Sequence, residues 1–233
     1  MLAGIYIAAA GMEAQQQAST ATANNIANLD TPGYKPVRVR FRDLLYSGGQ
    51  AATGAGAAAE QLGRKWGQGP LHATGRSLDL AIDGSGFFAV RRPNGSTALT
   101  RDGAFAIDAR GRLTTNDGNL IVPGVTVPPG SSVQDLRVTA DGTATVRGAA
   151  AGRIQLVDVP APDRLRADGG GLFAITPQSG PAGTARAQVH QGQLEGSTAQ
   201  VTELLGGQHT FQALAQVIKI EDQMMSVANQ LRQ

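Results

Sequence analysis

The most informative stretch of the chain is Ala23-Asn24-Asn25-Ile26-Ala27-Asn28-Leu29-Asp30-Thr31-Pro32-Gly33-Tyr34-Lys35. It follows a proline-free segment rich in alanine and glutamine, so it marks the end of an N-terminal helix. Its three asparagines fall in the last turn, where carbonyl groups lack helical partners and asparagine amides can bond them. Pro32 then ends the helix, because proline has no N–H and disfavours helical geometry in the residue before it. We expect Gly33 to adopt a positive φ.

The helix that precedes this turn is predicted over residues 2–28 and carries a weak heptad repeat. Its principal positions are Ile5, Met12, Ser19 and Ile26. Large aliphatic side chains stand only toward the ends of this line, and its middle is polar. Such a stripe stabilises an isolated helix poorly and suits a helix that packs among several others.

Residues 35–46 have the two-residue period of a strand with one apolar and one basic face. The alternating side chains are Val37, Val39 and Phe41 on one face and Arg38, Arg40 and Arg42 on the other. No interleaved aromatic residues or reading helix accompany the arginines, so a solvated or intersubunit face is favoured over nucleic-acid binding. Residues 47–59 are nearly all Gly, Ala, Ser, Thr and Gln, which cannot bury a core of their own. We therefore predict a flexible connection over residues 47–74.

Residues 75–190 are predicted to form an antiparallel β-rich domain. Short apolar runs are separated by dipeptides that favour tight hairpin turns, namely Asp83-Gly84, Asn94-Gly95, Asp102-Gly103, Asp117-Gly118 and Asp141-Gly142. Runs such as residues 87–91 and 112–115 are short and regularly spaced, which indicates a meander. The expected core includes Phe88, Val90, Phe105, Ile107, Leu113 and Val122.

A second helix is predicted over residues 197–230. Ser197 and Gln200 have the spacing of a capping box, which satisfies free amides at a helix start. Its heptad is stronger than the N-terminal one and consists of Leu204, Phe211, Ile218 and Met225. At roughly 50 Å, this helix is too long for the β-rich domain to cover. Gly206-Gly207 favours a local kink, because each glycine costs about 1 kcal/mol relative to alanine.

The composition limits the classes to which the chain can belong. Only 4% of the 233 residues are aromatic and 31 are glycine, so we expect part of the chain to order only against other copies or partners. A net charge of +2 gives no strong field for nucleic acid or anionic lipid. The absence of cysteine excludes disulfides. The apolar run 2–10 lacks a preceding basic residue and is too short to span a bilayer, so we expect neither a cleaved Sec signal nor membrane insertion.

Three regions of the chain, in the right order, resemble the flagellar rod and hook-basal-body proteins. The first is Gly-Met-Glu-Ala-Gln-Gln at residues 11–16 together with the stretch 23–35 quoted above. The second is Gly-Arg-Ser-Leu-Asp-Leu-Ala-Ile-Asp-Gly-Ser-Gly-Phe-Phe at 75–88, followed by Leu-Thr-Arg-Asp-Gly-Ala-Phe at 99–105. The third is Gly-Gln-Leu-Glu-Gly-Ser at 192–197, which leads into the second helix. On these motifs the chain resembles the flagellar basal-body rod protein family along its whole length.

The resemblance implies a structural subunit of the bacterial flagellar rod and not an enzyme. In that family the two terminal helices of each subunit pair and pack with neighbouring subunits into a helical tube, while the middle domain faces outward. The resemblance also implies contacts with other rod and hook subunits and with the surrounding ring proteins, and transmission of motor torque to the hook. Export through the flagellar type III apparatus to the periplasmic rod of the basal body is implied as well.

Features of both rod types occur in the chain. The glutamine-rich opening and Asp43-Leu44-Leu45-Tyr46 resemble the distal rod protein. The short connection from 46 to 75 and the short total length resemble the proximal one, and the balance favours the distal type by a small margin. The closing helix departs from the family at Thr198-Ala199, where an Asn-Val pair is usual. At 208–212, Gln-His-Thr-Phe-Gln replaces Gln-Arg-x-Tyr-Glu, which puts specific intersubunit salt links in doubt.

The predicted fold class is α+β, with discontinuous N- and C-terminal helices that pair as a coiled-coil-like stalk and an inserted antiparallel β-rich middle domain. The predicted parts are 1–46 (N-terminal helix and extended segment), 47–74 (flexible connection), 75–190 (middle domain) and 191–233 (C-terminal helix). The side chains expected at the assembly interface are Ile5, Met12, Asn24, Asn25, Ile26, Asn28, Pro32, Gly33, Tyr34, Leu204, Phe211, Ile218 and Met225.

We expect no catalytic, cofactor or metal site. Gly84-Ser85-Gly86 begins like a dinucleotide-binding loop, but two phenylalanines follow and Ala89 holds the third glycine position. Asp79 and Asp83 lack a third ligand at calcium-loop spacing, and the histidines lack zinc-site spacing. Two competing interpretations are a secreted hydrolase and a binding module, each built on the β-rich domain. The hydrolase would need convergent polar groups that the sequence does not show, and the binding module leaves two long helices without a purpose.

Overall fold

The computed structural model describes residues 2–48 and 51–199, which fall into two compact units. Among these residues, the first unit comprises 2–27, 37–48, 51–64 and 199. The second unit comprises Asn28–Pro36 and Lys65–Thr198. The chain therefore enters the second unit twice, and the turn after the N-terminal helix belongs to that unit.

The first unit joins one helix to one long hairpin. Helix α1 spans Leu2–Ala27 and ends one residue before the predicted boundary. Strands β1 (Val37–Gly48) and β2 (Ala51–Arg64) pair antiparallel. The helix packs on the hairpin through small or polar side chains, and its buried positions are Ala8, Ala14, Gln15, Ala21 and Asn25.

The structure differs from the sequence-based expectation over residues 47–74. Instead of a flexible connection, it places β2 at Ala51–Arg64 and a further strand, β3, at Leu71–Ala73. None of residues 57–64 of β2 is fully buried, but the strand satisfies its backbone groups by pairing along β1 and packs against α1. The amino-acid composition does not predict this strand, because backbone hydrogen bonds can hold a strand together whatever the size of its side chains.

The second unit consists of short strands and two 3-10 helices, Val133–Asp135 and Pro162–Arg164. After β3, its strands are β4 (Leu80–Asp83), β5 (Phe87–Arg91), β6 (Thr97–Thr100), β7 (Phe105–Ile107), β8 (Leu113–Thr115), β9 (Leu120–Ile121), β10 (Pro123–Val125), β11 (Leu136–Val138), β12 (Thr143–Val146), β13 (Ala149–Ile154), β14 (Leu156–Asp158), β15 (Arg166–Ala167), β16 (Leu172–Ala174), β17 (Gly183–Thr184), β18 (Gln188–Gln191) and β19 (Gln193–Glu195). All the described pairings are antiparallel, which confirms the expected β-rich character.

In the second unit, the last strands pair with the first strands. A nine-stranded sheet follows the order β15-β16-β6-β5-β9-β8-β7, with β14 paired to β5 and β17 paired to β14. A four-stranded sheet has the order β10-β13-β12-β11. Two small sheets, β18-β4 and β19-β3, set the last strands of the unit beside the earliest ones. The two ends of the unit therefore lie close to each other.

Two apolar clusters use opposite faces of β5. Phe88 belongs to the larger one and meets Phe105 edge to face, with ring centroids 5.1 Å apart. Phe87 belongs to the smaller one, together with Phe173 and the half-buried Trp66. Neighbouring residues of a strand point to opposite faces, so this Phe-Phe pair supplies both clusters. Among the six expected core residues, Phe88, Val90, Phe105 and Leu113 are buried, and Ile107 and Val122 are partly buried against the clusters.

Four of the five expected turn glycines have a positive φ, namely Gly84, Gly95, Gly118 and Gly142. The fifth, Gly103, is needed for a different reason. A Cβ at that position would overlap the carbonyl of Leu80, so glycine permits the close approach of two backbone segments there.

Candidate assembly site

Lys35, Arg101 and Glu195 form an ion cluster inside the second unit. The Glu195 carboxylate accepts from Lys35 Nζ on Oε1 at 2.6 Å and from Arg101 Nη1 on Oε2 at 3.1 Å. Their side chains are 0%, 4% and 1% exposed for Lys35, Arg101 and Glu195. The Gly69 N–H also donates to Oε1, and Lys35 Nζ donates to the Gly67 carbonyl, each at 2.8 Å. Burial of these charges is sustained by ion pairing and hydrogen bonds together.

Each member of the cluster comes from a different region of the chain. Lys35 follows a turn in which the Thr31 N–H donates to the Asn28 carbonyl at 3.2 Å. Glu195 is the last residue of β19, which pairs with β3, and Arg101 directly follows β6. These are the three regions that carry the motifs described above. The cluster therefore joins segments that lie as many as 160 positions apart.

Gly33 connects the Pro-Gly turn to the backbone of two members of the ion cluster, Glu195 and Arg101. Its φ is +65°, which confirms the expected positive value. Its N–H donates to the backbone carbonyl of Glu195 at 2.7 Å. A Cβ at position 33 would overlap the carbonyl of Arg101 and lie 2.7 Å from the Asp102 nitrogen. Both the backbone conformation and the available space therefore require glycine here.

The environment of the cluster shifts two pKa values. Burial lowers the pKa of Lys35, and the nearby charge of Arg101 lowers it further, while the charge of Glu195 and the hydrogen bond to it act in the opposite direction. Burial raises the pKa of Asp102, and a hydrogen bond from the Ala104 N–H opposes that shift. The cluster contains two cations and one anion, so its charges are not fully balanced.

Trp66, the single tryptophan of the chain, lies beside the cluster. Its ring meets Phe87 and Phe173 edge to face at centroid distances of 5.3 and 4.9 Å. The guanidinium carbon of Arg101 lies 5.6 Å from the centroid of Phe87. The residue before Trp66, Lys65, donates its N–H to the Pro36 carbonyl at 3.0 Å. Trp66 fluorescence should therefore report on the docking of residues 28–36.

Asn25 fastens the end of α1 to the start of β1 within the first unit. Its Nδ2 donates to the Val37 carbonyl at 3.0 Å, and its Oδ1 accepts the Val37 N–H at 2.9 Å. The residue is only 3% exposed. The sequence suggested that the asparagines bond carbonyls of the helix end, but the side chain of Asn25 bonds the following strand. Asn28 accepts instead from the Thr31 hydroxyl, at 3.2 Å.

The remaining residues expected at the assembly interface occupy several environments. Met12 and Ile26 are half-buried on α1, Asn24 is exposed, and Ile5 lies within the same helix. Pro32 and Tyr34 are half-buried in the second unit. The four C-terminal positions, Leu204, Phe211, Ile218 and Met225, lie outside the described residues. The role of all these residues between subunits stays a prediction.

Arg101 and Glu195 were not among the residues expected from the sequence. Arg101 stands next to Asp102 in the turn-like stretch Leu-Thr-Arg-Asp-Gly, and Glu195 is the one charged residue of Gly-Gln-Leu-Glu-Gly-Ser. A charge in such a position is most often solvated, and only the pairing of distant segments shows that these two are buried together.

The second unit also contains a cavity of about 210 Å³. It is lined by Arg91, Arg112, Leu113, Leu120, Ile121, Val122, Pro123, Gly124, Val125 and Thr126. No carboxylate or histidine lines it, and Arg112 is paired with Asp108 at 2.8 Å. Within 2–48 and 51–199, no cluster of three or more residues suited to metal binding occurs. The same part of the chain contains no helix long and apolar enough to cross a membrane.

Comparison with known proteins links these segments to flagellar proteins. Residues 5–35 match the family described as flagella basal body rod protein, and residues 81–146 match the D1 domain of the flagellar hook proteins FlgE/F/G. The first match ends at Lys35 and the second includes Arg101. Two of the three members of the ion cluster therefore lie within matched regions.

Individual relatives match almost the whole chain. It is 34% identical to the flagellar basal-body rod protein FlgG of Agrobacterium fabrum and 33% identical to that of Caulobacter vibrioides, over 97% of both chains in each comparison. It is 31% identical to the flagellar basal-body rod protein FlgF of Caulobacter vibrioides, over 84% of each chain.

Proposed function

The chain belongs to the flagellar basal-body rod protein family, and we propose that it polymerises through its terminal helices into the rod that transmits motor torque to the hook. The family is one of structural proteins and not of enzymes. The chain is accordingly a structural subunit of the basal body. Self-association and contacts with other flagellar subunits follow from this membership.

A backbone hydrogen bond in the second unit is the main support for the proposal that the terminal helices pair. The Gly33 N–H donates to the Glu195 carbonyl at 2.7 Å, so the connection toward residue 27 and the connection toward residue 199 leave the unit side by side. Two helices that start from neighbouring points can pair without a long linker. The heptad of Leu204, Phe211, Ile218 and Met225 supplies the apolar stripe that such pairing needs.

The finer assignment is to the distal type of rod subunit. Its support is the glutamine-rich opening and Asp43-Leu44-Leu45-Tyr46. The alignments to FlgG proteins also extend over more of the chain than the alignment to the FlgF protein, which favours a FlgG-type subunit. As further partners we propose the type III export apparatus and the ring proteins around the rod. As its place we propose the periplasmic part of the basal body, reached without a cleaved Sec signal.

The test is complementation of a strain that lacks the native copy. The chain, carrying a small epitope in the open turn at Gly95, should restore swimming and co-purify with basal bodies. Cryo-electron tomography with an antibody label should place the epitope on the rod next to the hook. Label at the membrane end would replace the distal assignment with the proximal one. Normal swimming in the strain without any copy would overturn the rod function and favour the binding-module interpretation.

A further inference from the structure

Phe41 is the exposed phenylalanine of the described ranges 2–48 and 51–199. The residue is 49% exposed, whereas the other four phenylalanines of these ranges lie buried in the two apolar clusters. It stands on β1 two positions before Asp43, and the pairing with β2 is regular between them, so both side chains point to the same face. Asp43 is also exposed, and within the described residues its carboxylate makes no ion pair or hydrogen bond. Strand β1 therefore presents an aromatic ring and a free carboxylate about 7 Å apart along the strand.

The neighbours of this pair on the hairpin leave it accessible. The residues paired with Phe41 and Asp43 across the hairpin are Ala59 and Ala57, whose short side chains add little bulk to the face. The residue between the pair, Arg42, points to the opposite face. The face therefore carries a negative charge beside the ring and no positive charge between the two.

The cavity of the second unit has the complementary character. It is partly open to the surface, and five aliphatic residues line it, namely Leu113, Leu120, Ile121, Val122 and Val125. An apolar cavity of about 150 Å³ accommodates a benzene ring. The volume of about 210 Å³ is therefore large enough for the ring of a phenylalanine side chain.

Two arginines give this cavity a positive charge. Arg91 is exposed, and its guanidinium makes no ion pair or hydrogen bond within the described residues. Arg112 uses Nε and Nη2 on the carboxylate of Asp108, each at 2.8 Å. One of the two cations is thus without a counter-charge, so the site favours a partner that brings a single carboxylate next to an apolar group.

We propose that β1 of one copy docks on the second unit of another copy, with Phe41 in the cavity and Asp43 on Arg91. The proposal rests on the proposed rod function, because assembly is what brings many copies of the chain together. Single exposed apolar residues are common on protein surfaces. What distinguishes Phe41 is the free carboxylate beside it and a cavity of matching size and opposite charge in the same chain.

Docking breaks no existing interaction of either charged side chain. Asp43 and Arg91 have no partners to lose among the described residues, and the contact removes the exposed part of Phe41 from water. The charge pair fixes which end of the strand faces Arg91, since Phe41 and Asp43 must enter in one order along β1. The contact therefore has a defined orientation, as a repeating interface between identical subunits needs.

The first experiment places one cysteine on each of the two surfaces. The chain has no cysteine of its own, so a short bismaleimide reacts only at the introduced positions. One chain carries Ala57→Cys, beside Asp43, and Thr126→Cys, at the exposed rim of the cavity. Basal bodies from cells in which this chain is the only copy are treated with the reagent. Docking between copies gives a ladder of dimers and higher multimers, whereas docking within one chain gives cross-linked monomers. Thr184→Cys in place of Thr126→Cys, at an exposed position that does not line the cavity, is the matched control and should give no ladder.

The second experiment tests the charge pair and the ring in the same cysteine background. Asp43→Arg and Arg91→Asp each oppose like charges and should lower the ladder yield per chain at least about fivefold, while the two together should restore it. Phe41→Ala should lower the yield about tenfold. Two controls outside the cavity, Arg153→Asp at an exposed arginine and Ile175→Ala at an exposed aliphatic residue, should leave it unchanged. Swimming of strains with the same substitutions and no added cysteine should follow the same order.

The outcomes separate the docking from the rod function. A chain that enters basal bodies but forms no ladder, or only cross-linked monomers, overturns the docking between copies and leaves the rod function standing. Absence of the unaltered chain from basal bodies overturns both. A ladder and a swimming rate that are insensitive to Asp43→Arg and Arg91→Asp, or that the combined substitutions fail to restore, overturn the pairing of these two side chains.

Discussion

Lys35 Nζ and Glu195 Oε1 lie 2.6 Å apart, although 160 positions separate the two residues. One residue belongs to the turn after the N-terminal helix, and the other stands four positions before the end of the described chain. Glu195 holds that turn twice, with its carboxylate on Lys35 and with its backbone carbonyl on the Gly33 N–H. Residues 28–35 of the N-terminal motif are therefore part of the β-rich second unit, and a residue of that unit's last strand holds their turn in place.

The two terminal nitrogens of Arg101 bond different acceptors, which provides the first test of how much the cluster stabilises the unit. Nη1 bonds Glu195 Oε2 at 3.1 Å, and Nη2 bonds the Gly84 carbonyl at 2.8 Å. A lysine at position 101 keeps the charge but cannot reach both acceptors. We expect Arg101→Lys to lower the free energy of unfolding by about 1.5–3 kcal/mol, the range for a hydrogen bond to a charged group. Urea titration followed by Trp66 fluorescence measures this change.

Arg147 provides the control for that substitution. Its side chain is 63% exposed and lies 2.8 Å from that of Asp135, which is itself 29% exposed, and surface pairs of this kind contribute little. Arg147→Lys should therefore leave the unfolding midpoint nearly unchanged. Equal effects of the two substitutions would show that the Arg101 contacts contribute no more than an exposed pair.

Alanine substitutions at Gly33 and Gly75 distinguish the cost of backbone strain from the cost of steric overlap between the new side chain and its neighbours. Both have a positive φ, +65° and +73°, but only at Gly33 would a Cβ meet backbone atoms. Gly75→Ala should cost about 1–2 kcal/mol, from the left-handed conformation alone. Gly33→Ala should add about 1–3 kcal/mol for overpacking against Arg101 and Asp102. Thermal or urea unfolding of both variants checks the difference, and equal losses would mean that the turn moves aside freely.

The surroundings of Gly33 also determine what a bulkier residue, such as valine, would do there. The structure places Gly33 against Arg101 inside the second unit, so a side chain there disturbs that unit directly. We therefore expect loss of monomer stability as well as impaired rod growth.

Local signals predicted most of the β-rich unit. Strand β5 has the predicted bounds because Phe87–Arg91 is short, apolar and bounded by turn dipeptides. Strand β2 was missed, because residues such as Ala57 and Gly56 carry no strand signal and are held by pairing with Asp43 and Leu44. The ion cluster was missed for a related reason. Nothing near Glu195 in the sequence shows that its partner stands 160 positions earlier.

The Asn25 contacts to Val37 give a test within the first unit. Asn25→Ala removes a donor and an acceptor and leaves both backbone groups of Val37 without that partner. Each buried group left unsatisfied costs about 1–3 kcal/mol, so exchange at the Val37 amide should accelerate strongly. Gln17→Ala, at an exposed position of the same helix, is the control and should have little effect. An unchanged Val37 amide in Asn25→Ala would mean that the turn and not the side chain holds the strand in place.

Asp141 links the stability of the β11–β12 hairpin to pH. Its carboxylate accepts from the hydroxyls of Thr139 and Thr143, and these bonds lower its pKa from 3.8 to about 2. Because the folded pKa lies below the unfolded one, the unfolded chain binds more protons between these values. The contribution of Asp141 is therefore complete above about pH 4 and is lost as the pH falls toward 2.

We expect Asp141→Asn to lower the unfolding midpoint at pH 7 and to flatten its fall between about pH 4 and 2, since asparagine does not titrate. Part of the acid dependence should remain, because hydrogen bonds also lower the pKa values of Asp108, Asp135 and Asp168. Thr143→Val removes one of the two hydroxyl donors and should reduce the same slope by a smaller amount. Urea midpoints measured from pH 7 to pH 2 provide the comparison. If Asp141→Asn retains the full acid slope of the unaltered chain, the two threonine hydroxyls do not stabilise the ionised carboxylate in solution.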